Sequence, residues 1–413
     1  MEDGTIQFRG VRYATSKRWA YASPVDTWHG EYDATKFGNA CIQLRTFDSE
    51  SKKKPEPFYY KEFRKDVDFN YSEDCLFLDI YAPENTINAP VIVHIHGGAF
   101  LGGCSNEKHM DGTAYAKRGV IFVSINYRLG VLLGFLCDRK LTEEAGHSGN
   151  YGLYDQLEAI RWVHRHISEF GGNPNNIMLF GQSAGAMSIQ QHCLSPLTKP
   201  YISKVYMASG GGVGDEFAAV NSVEDSYDYW SRLTNELGDS PKAWREAPIE
   251  KVFDVFRKIM DDKLMEYCCP HIAGKLIAKD PKIAVKEKNY AKVPYLLSSN
   301  SEDMLSKVLE KMSKDWCRLI NKNGGKAYYF YFKRQLSGDD KGAFHSAELW
   351  YTIGALDKCW RPMTDLDRRI SEGMLDSIAN FAKTGNPNCE KIHDWKPFDK
   401  ESDAKIIDEK FDL

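Results

Sequence analysis

The sequence contains no run of about 18 apolar residues, the length that a membrane-spanning helix requires. Its most apolar stretch, residues 119–136, is interrupted by Asn126, Tyr127 and Arg128. Basic residues are not in excess either: 54 Lys and Arg stand against 58 Asp and Glu, for a formal net charge of −4. A chain without a basic surplus lacks the electrostatic signature of nucleic-acid binding. We therefore expect neither a membrane nor a nucleic acid as a partner.

Cysteine is scarce, with 10 residues in 413. That density is far below that of disulfide-rich scaffolds, and no Cys-x-x-Cys pair indicates a zinc knuckle or a thioredoxin-like site. The first residues, MEDGTIQFRG, also lack the basic start and the apolar core of a secretory signal. We expect a cytoplasmic protein in which most thiols are reduced and buried.

Six short apolar runs predict strands of an α/β fold. Continuous rather than alternating apolar runs are typical of parallel strands that helices cover on both faces. Between two of the runs, residues 152–170 carry apolar side chains at helical spacing and end before two glycines. Residues from about 213 to 290 are charged and helix-rich, which predicts a helical insertion packed over the sheet. The six runs are Pro90–Ile95, Val120–Ile125, Ile177–Phe180, Lys204–Ala208, Val293–Leu297 and Ala327–Phe332.

The motif Gly181-Gln182-Ser183-Ala184-Gly185 stands directly between a predicted strand and a helix-forming segment. A strand, a tight turn and a helix are the context of a G-x-S-x-G nucleophile elbow. The flanking glycines remove Cβ atoms that would collide with the neighbouring strand and helix. Ser183 is therefore the candidate nucleophile, above a helix N-terminus that favours negative charge.

Acyl transfer also needs hydrogen-bond donors for the oxyanion that forms on the substrate carbonyl group. A glycine turn that includes Gly97, Gly98 and Ala99 ends the predicted strand Pro90–Ile95. Small residues there let the backbone N–H groups of Gly98 and Ala99 approach a substrate oxygen, beside the N–H of Ala184. These three groups are the candidate oxyanion hole.

The candidate base is His345, which lies in a turn-like segment after the last clear strand, where an α/β-hydrolase carries its histidine. In that fold the acid lies between the serine and the histidine, just after a strand. Glu302 and Asp303 both meet this condition. His94 and His96 are two apart on one strand, but no third metal ligand is evident, and we expect them in the core or supporting the site.

Taken in order along the chain, these motifs resemble the type B carboxylesterase family, which includes the cholinesterases. The resemblance runs from near the first residue to near the last. It implies an α/β-hydrolase fold, a mostly parallel sheet covered by helices, with residues 1–413 forming a single catalytic domain. Besides the elbow, the matching stretches are Phe8–Ala14, Ser72–Leu78, His96–Phe100, Asn126–Gly130, Gly149–Leu153, Phe344–Leu349 and Thr384–Pro387.

The resemblance also implies roles for the candidate residues. Ser183 is the nucleophile, His345 is the base, and Gly98, Ala99 and Ala184 supply the oxyanion hole. The acid is the second carboxylate of an Asp-Glu-Gly pattern, which in this chain is Asp303. Because aspartate is one methylene shorter than glutamate, the neighbouring Glu302 is the alternative.

The chain departs from the family pattern at several positions. Gln182 stands where many members carry glutamate, so the pocket holds one fewer negative charge and favours cationic, choline-like substrates less. Asp303 and His345 are 42 residues apart, much closer than in the animal enzymes, which predicts a reduced helical insertion and a more open pocket. Residues 129–135 carry one extra leucine. Cys41 and Cys75 match the family's first disulfide pair, and a cytoplasmic compartment would keep them reduced, so both states stay open.

The sequence thus predicts a serine carboxylic-ester hydrolase that forms an acyl-enzyme intermediate and accepts small to medium esters. Two alternatives stay open: a binding or scaffold protein with the same fold, and a related acyl-serine hydrolase of amides, carbamates or lactones. Phe100, Tyr151 and Trp350 indicate either an aromatic-lined pocket or plain core packing. No metal or organic cofactor is expected, and we expect a monomer or a small homo-oligomer.

Overall fold

The computed structural model describes residues 4–214, 220–261 and 267–411. Its central sheet has the strand order β1-β2-β4-β3-β5-β6-β7-β8-β9. The pairs β1–β2 and β2–β4 are antiparallel, and every other neighbouring pair is parallel. The strands are β1 Thr5–Arg12, β2 Phe77–Pro83, β3 Ala89–Ile95, β4 Ile121–Ile125, β5 Gly172–Gln182, β6 Lys204–Ala208, β7 Tyr295–Asn300, β8 Ala327–Phe332 and β9 Lys405–Ile407. The mostly parallel sheet expected from the apolar runs is confirmed.

Helices lie in the connections between these strands. Short 3₁₀ turns follow or join several of them, as at Ile167–Phe170 directly after α5. In chain order the described helices are α1 Leu44–Phe47, α2 Phe58–Phe63, α3 Thr113–Ala116, α4 Arg139–Ala145, α5 Tyr151–His166, α6 Ala184–Leu194, α7 Val223–Leu237, α8 Pro241–Glu246, α9 Ile249–Ile259, α10 Pro281–Lys286, α11 Ser306–Lys322, α12 Leu349–Ile353 and α13 Asp365–Thr384.

Both faces of the sheet are buried, because side chains of a strand point alternately to its two sides. Val91, Val93 and Ile95 of β3 belong to a core that they share with α5, α6 and α11. Ile92 of the same strand belongs to the core on the opposite face, with α3, α12 and α13. A strand covered on both sides needs apolar residues at every position, and this explains its continuous apolar sequence.

The helical insertion predicted over residues 213–290 contains α7, α8, α9 and α10. Buried side chains of α7, α8 and α9, among them Trp230, Trp244 and Phe256, pack in one cluster with Leu132 and Leu133. Two short strands, Asn221–Ser222 and His271–Ile272, pair in parallel within it. Residues 215–219 and 262–266 of the predicted insertion lie outside the described residues.

The extra leucine of residues 129–135 lies in a single π-helical turn, Gly130–Gly134. The backbone N–H of Phe135 donates to the carbonyl of Gly130 at 2.9 Å, five residues earlier. A π turn accommodates one residue more than an α turn does, so the insertion is absorbed locally.

Cys41 and Cys75 form a disulfide, with their Cα atoms 4.9 Å apart. Cys104, Cys137, Cys193 and Cys317 are free thiols and are buried. Among the described residues, no helix combines the length and the apolar character needed to span a bilayer.

Candidate active site

Ser183 occupies the sharp turn between β5 and α6. Its backbone has φ 55° and ψ −125°, a conformation that costs an ordinary side chain energy and marks a constrained site. The turn is so tight that a Cβ on Gly185 would lie 2.0 Å from the carbonyl oxygen of Ile95. The strand, turn and helix predicted for the elbow are all present.

The glycine turn after β3 has an unusual backbone as well. Gly98, Ala99 and Phe100 follow one another with φ values of 111°, 55° and 60°. Two consecutive non-glycine residues in the left-handed region are rare, because each has a Cβ close to its own backbone. Gly98 and Ala99 line the same cavity as Ser183 and Ala184, so the structure brings the predicted oxyanion donors to one place.

His345 and Asp303 are in direct contact. The imidazole Nδ1 lies 2.6 Å from Asp303 Oδ1, and both side chains are buried. The two loops are joined by backbone pairing: the N–H of Glu302 donates to the carbonyl of Ala343, and Glu302 bridges to Phe344. This pairing leaves the Glu302 side chain exposed. Of the two candidate acids, the structure places Asp303 against the histidine.

Three further side chains lie around the His345 loop, and the sequence motifs did not predict them. Asn300 donates its side-chain amide to the carboxylate of Glu348 and to the carbonyl of Phe344, the latter at 2.7 Å. Tyr59 donates its hydroxyl to the backbone carbonyl of His345 at 3.3 Å. Glu348 lies within the segment that resembles the family and could have been suspected. Tyr59 comes from a distant helix, and no local pattern singles it out.

The remaining imidazole nitrogen is also occupied. Gln182 places its side-chain nitrogen 3.1 Å from His345 Nε2. Within the described residues, Ser183 Oγ makes no hydrogen bond to the imidazole. Ser183 and His345 both line the cavity, but the serine hydroxyl is not hydrogen-bonded to the imidazole in this conformation.

The cavity has a volume of about 740 Å³, within the range of small-molecule sites. It contains the elbow, the glycine turn and His345, and the insertion contributes Asn221 and Cys269 to its wall. Its apolar lining includes Leu44, Phe63, Phe100, Leu101, Met187 and Leu349. Of the three aromatic residues noted in the sequence, Phe100 lines the cavity, whereas Tyr151 and Trp350 are buried in the core.

The charged side chains of the cavity wall are paired with one another. Arg45 Nη2 lies 3.0 Å from Glu107 Oε1, and Arg64 Nη2 lies 2.7 Å from Glu50 Oε1. Burial opposes the ionisation of Glu107, but Arg45 and Arg64 outweigh it and hold the pKa of that carboxyl below its usual value. Two guanidinium and two carboxylate groups cancel, so this wall presents little net charge to a substrate.

His94 is buried in the core within β3, and His96, directly after that strand, is buried at the wall of the cavity. Burial lowers the pKa of His96 to about 4, and its Nδ1 lies 2.8 Å from the carbonyl of Gly97. No group of three His, Cys, Asp or Glu side chains suited to a metal ion occurs in residues 4–214, 220–261 and 267–411.

Glu348 makes stability depend on pH. Burial is the main cause that raises its pKa from 4.5 to about 7, so between these pH values the folded protein holds a proton that the unfolded chain has lost. Its contribution to stability therefore declines as pH rises through that window. The free energy of unfolding of the parent chain is expected to fall by up to about 3 kcal/mol across this window because of Glu348, and Glu348→Gln is expected to lack that fall. Urea unfolding of both proteins at pH 4.5, 6 and 7.5 measures it.

The control for this prediction is Glu302→Gln, which neutralises an exposed carboxylate nearby. It should unfold in parallel with the parent chain at all three pH values. A difference between the parent and Glu348→Gln that stayed constant with pH would show that Glu348 is ionised in the folded protein throughout the window.

A large, mostly parallel sheet with helices on both faces and a serine elbow at the end of β5 defines an α/β-hydrolase. The chain belongs to the carboxylesterase family, whose model matches residues 1–316 and 307–411. It is a serine carboxylic-ester hydrolase.

Several relatives span nearly the whole chain. A para-nitrobenzyl esterase of Bacillus subtilis is 28% identical, over 98% of this chain and 91% of its own. The pyrethroid hydrolase Ces2e of Rattus norvegicus is 26% identical, over 98% and 82%. A solved structure of a PNB esterase superposes with a TM-score of 0.81 at 25% identity, covering 95% of this chain and 90% of that one. The family resemblance and the fold expected from the sequence are confirmed.

Proposed function

We propose that ester hydrolysis proceeds through an acyl-enzyme on Ser183, with His345 as the base and Asp303 as the acid. The observation that carries this assignment is the 2.6 Å contact between His345 Nδ1 and Asp303 Oδ1 beside the strained elbow. The carboxylate accepts a hydrogen bond from the Nδ1–H group, which fixes the tautomer whose Nε2 lone pair serves as the base.

In the first half of the reaction, His345 Nε2 takes the proton of Ser183 Oγ as the oxygen attacks the ester carbonyl carbon. The backbone N–H groups of Gly98, Ala99 and Ala184 hold the oxyanion that forms. When the tetrahedral intermediate collapses, its bond to the alcohol oxygen breaks. The imidazolium gives its proton to that oxygen, and the alcohol leaves.

In the second half, water replaces the alcohol. His345 takes a proton from the water as it attacks the acyl carbonyl carbon, and the same three N–H groups hold the new oxyanion. Breaking the bond to Ser183 Oγ returns the proton to the serine and releases the carboxylic acid. No cofactor takes part in this sequence of steps.

The substrate expected from the cavity is a neutral, small to medium carboxylic ester. Apolar and uncharged polar side chains line the wall beside two ion pairs, Arg45–Glu107 and Arg64–Glu50, so little net charge is available to attract an ionic group. Gln182 adds no charge beside the imidazole. Location in the cytoplasm and a monomeric or small homo-oligomeric state stay predictions from the sequence.

Activity is expected to depend on pH through the base. His345 accepts the serine proton only when its imidazole is neutral, and histidine is the side chain whose charge changes between about pH 5 and 8. We expect kcat/KM for 4-nitrophenyl butyrate to fall as pH drops through about 6 to 7, approaching tenfold per unit below that range. Initial rates from pH 5 to 9 at constant ionic strength test this.

The matched control for the pH series is the spontaneous hydrolysis of the ester in the same buffers, which is subtracted. A value of kcat/KM that stayed flat from about pH 5 to 8 would contradict the assignment of a histidine base.

A further inference from the structure

Gln182 is the last residue of β5 and lies directly before the nucleophile. Its side chain is buried, and its nitrogen is 3.1 Å from His345 Nε2. Because Nδ1–H donates a hydrogen bond to Asp303, the Nε2 atom of the neutral imidazole carries a lone pair. An amide nitrogen can only donate. The contact is therefore a hydrogen bond from Gln182 to the atom that must take the serine proton.

The glycine turn after β3 lies close to the glutamine. A Cβ on Gly97 would lie 2.7 Å from the Gln182 carbonyl oxygen and 3.0 Å from its side-chain oxygen. The glycine turn thus packs closely against both ends of the residue. The side-chain amide has its nitrogen toward the imidazole and its oxygen toward Gly97.

A hydrogen bond donated to the neutral form of a base disfavours its protonated form. Nε2 of the neutral imidazole has a single lone pair, and the hydrogen bond from Gln182 occupies it. Ser183 needs that same lone pair to accept its hydroxyl proton. We propose that Gln182 is a positioning residue for His345: its amide engages the Nε2 lone pair in the resting enzyme and gives that lone pair up to Ser183 for the reaction. This inference rests on the function proposed above.

Other ionisable groups that face His345 are Asp303, Glu348 and Tyr59. None of them is altered by a change at Gln182, so they contribute equally to every variant compared. Glutamate at position 182 replaces the donor by a carboxylate, which accepts from a protonated Nε2 and stabilises the charged imidazole. Methionine has nearly the same length and removes the donor without adding charge.

The test is the titration of the His345 ring followed by NMR of histidine-labelled protein, with its signal assigned by its loss in His345→Asn. We expect the midpoint to rise by about one pH unit in Gln182→Glu and by less in Gln182→Met. In kcat/KM, the acid limb of Gln182→Glu should move upward by the same amount, so that activity at pH 6 falls up to about tenfold relative to its plateau. Thermal unfolding confirms that each variant is folded.

Gln7→Glu is the matched control, because it adds the same charge on β1, at the far edge of the sheet. Its titration midpoint should equal that of the parent chain. Midpoints in Gln182→Glu and Gln182→Met that matched the parent would overturn the proposal. A purely structural role for Gln182 would lower activity equally at all pH values and leave the midpoint unchanged.

Ser183→Ala separates this inference from the proposed function. If Gln182 holds the lone pair at rest, removing the serine hydroxyl leaves the midpoint of His345 unchanged. If the His345 midpoint moved in Ser183→Ala but not in Gln182→Met, the resting Nε2 lone pair would be engaged by the serine hydroxyl and not by Gln182. That result would overturn the inference. The titration needs no turnover. It therefore tests the role of Gln182 even if Ser183→Ala retains activity and the proposed acyl-enzyme function is wrong.

Discussion

Replacing Ser183 by alanine is expected to lower kcat for 4-nitrophenyl butyrate by about 10⁵- to 10⁶-fold, the loss seen when a serine hydrolase loses its nucleophile. The geometry of the elbow predicts so large an effect. Ser183 occupies a strained turn at the carboxyl end of β5, and it shares its cavity with His345 and the candidate oxyanion donors. The remaining rate would come from the oxyanion donors and from substrate binding.

Ser203→Ala is the control for this experiment. Ser203 lies in the connection before β6, where its hydroxyl donates to the carbonyl of Ile177 at 2.8 Å. That variant should turn over the ester at the parent rate. Activity of Ser183→Ala within tenfold of the parent would rule out an acyl-enzyme on this residue.

Replacing Asp303 by asparagine is expected to lower kcat by about 10⁴-fold. An amide at this position can donate to Nδ1 instead of accepting from it, which favours the imidazole tautomer whose Nε2 is protonated and cannot act as a base. It also removes the negative charge that stabilises the imidazolium. Steady-state rates with 4-nitrophenyl butyrate measure the effect.

The neighbouring Glu302→Gln provides the control and decides between the two candidate acids. Its carboxylate is exposed and lies 3.5 Å from the hydroxyl of Ser301, so we expect a change in kcat of less than about twofold. A large loss in Glu302→Gln together with a small loss in Asp303→Asn would show that the acid is Glu302.

The elbow could be predicted from the sequence because its determinants are local. A strand, a turn with glycines on both sides and a helix follow one another within residues 172–194, and each has its own sequence signal. The glycine turn after β3 is local in the same way. Proximity of the acid to the base is different, since it depends on backbone pairing between Glu302 and residues 343–344. No pattern within either loop reveals that pairing, and so both carboxylates stayed candidates.

Strand β2 shows why part of the sheet escaped prediction. Its sequence FLDIYAP has Asp79 in the middle, and a carboxylate interrupts the apolar pattern of a buried strand. The fold accommodates this residue because the N–H of Gly10 and the hydroxyl of Ser105 donate to it at 2.8 and 2.6 Å. Burial still raises its pKa to about 6. Partners 69 and 26 residues away supply these bonds, so local sequence could not indicate them.

Mass spectrometry of the protein after reaction with a fluorophosphonate tests whether Ser183 is the nucleophile. We expect one adduct per chain, located on Ser183, with activity lost in proportion to labelling and no adduct in Ser183→Ala. Stoichiometric loss of activity with the adduct on another residue would contradict it.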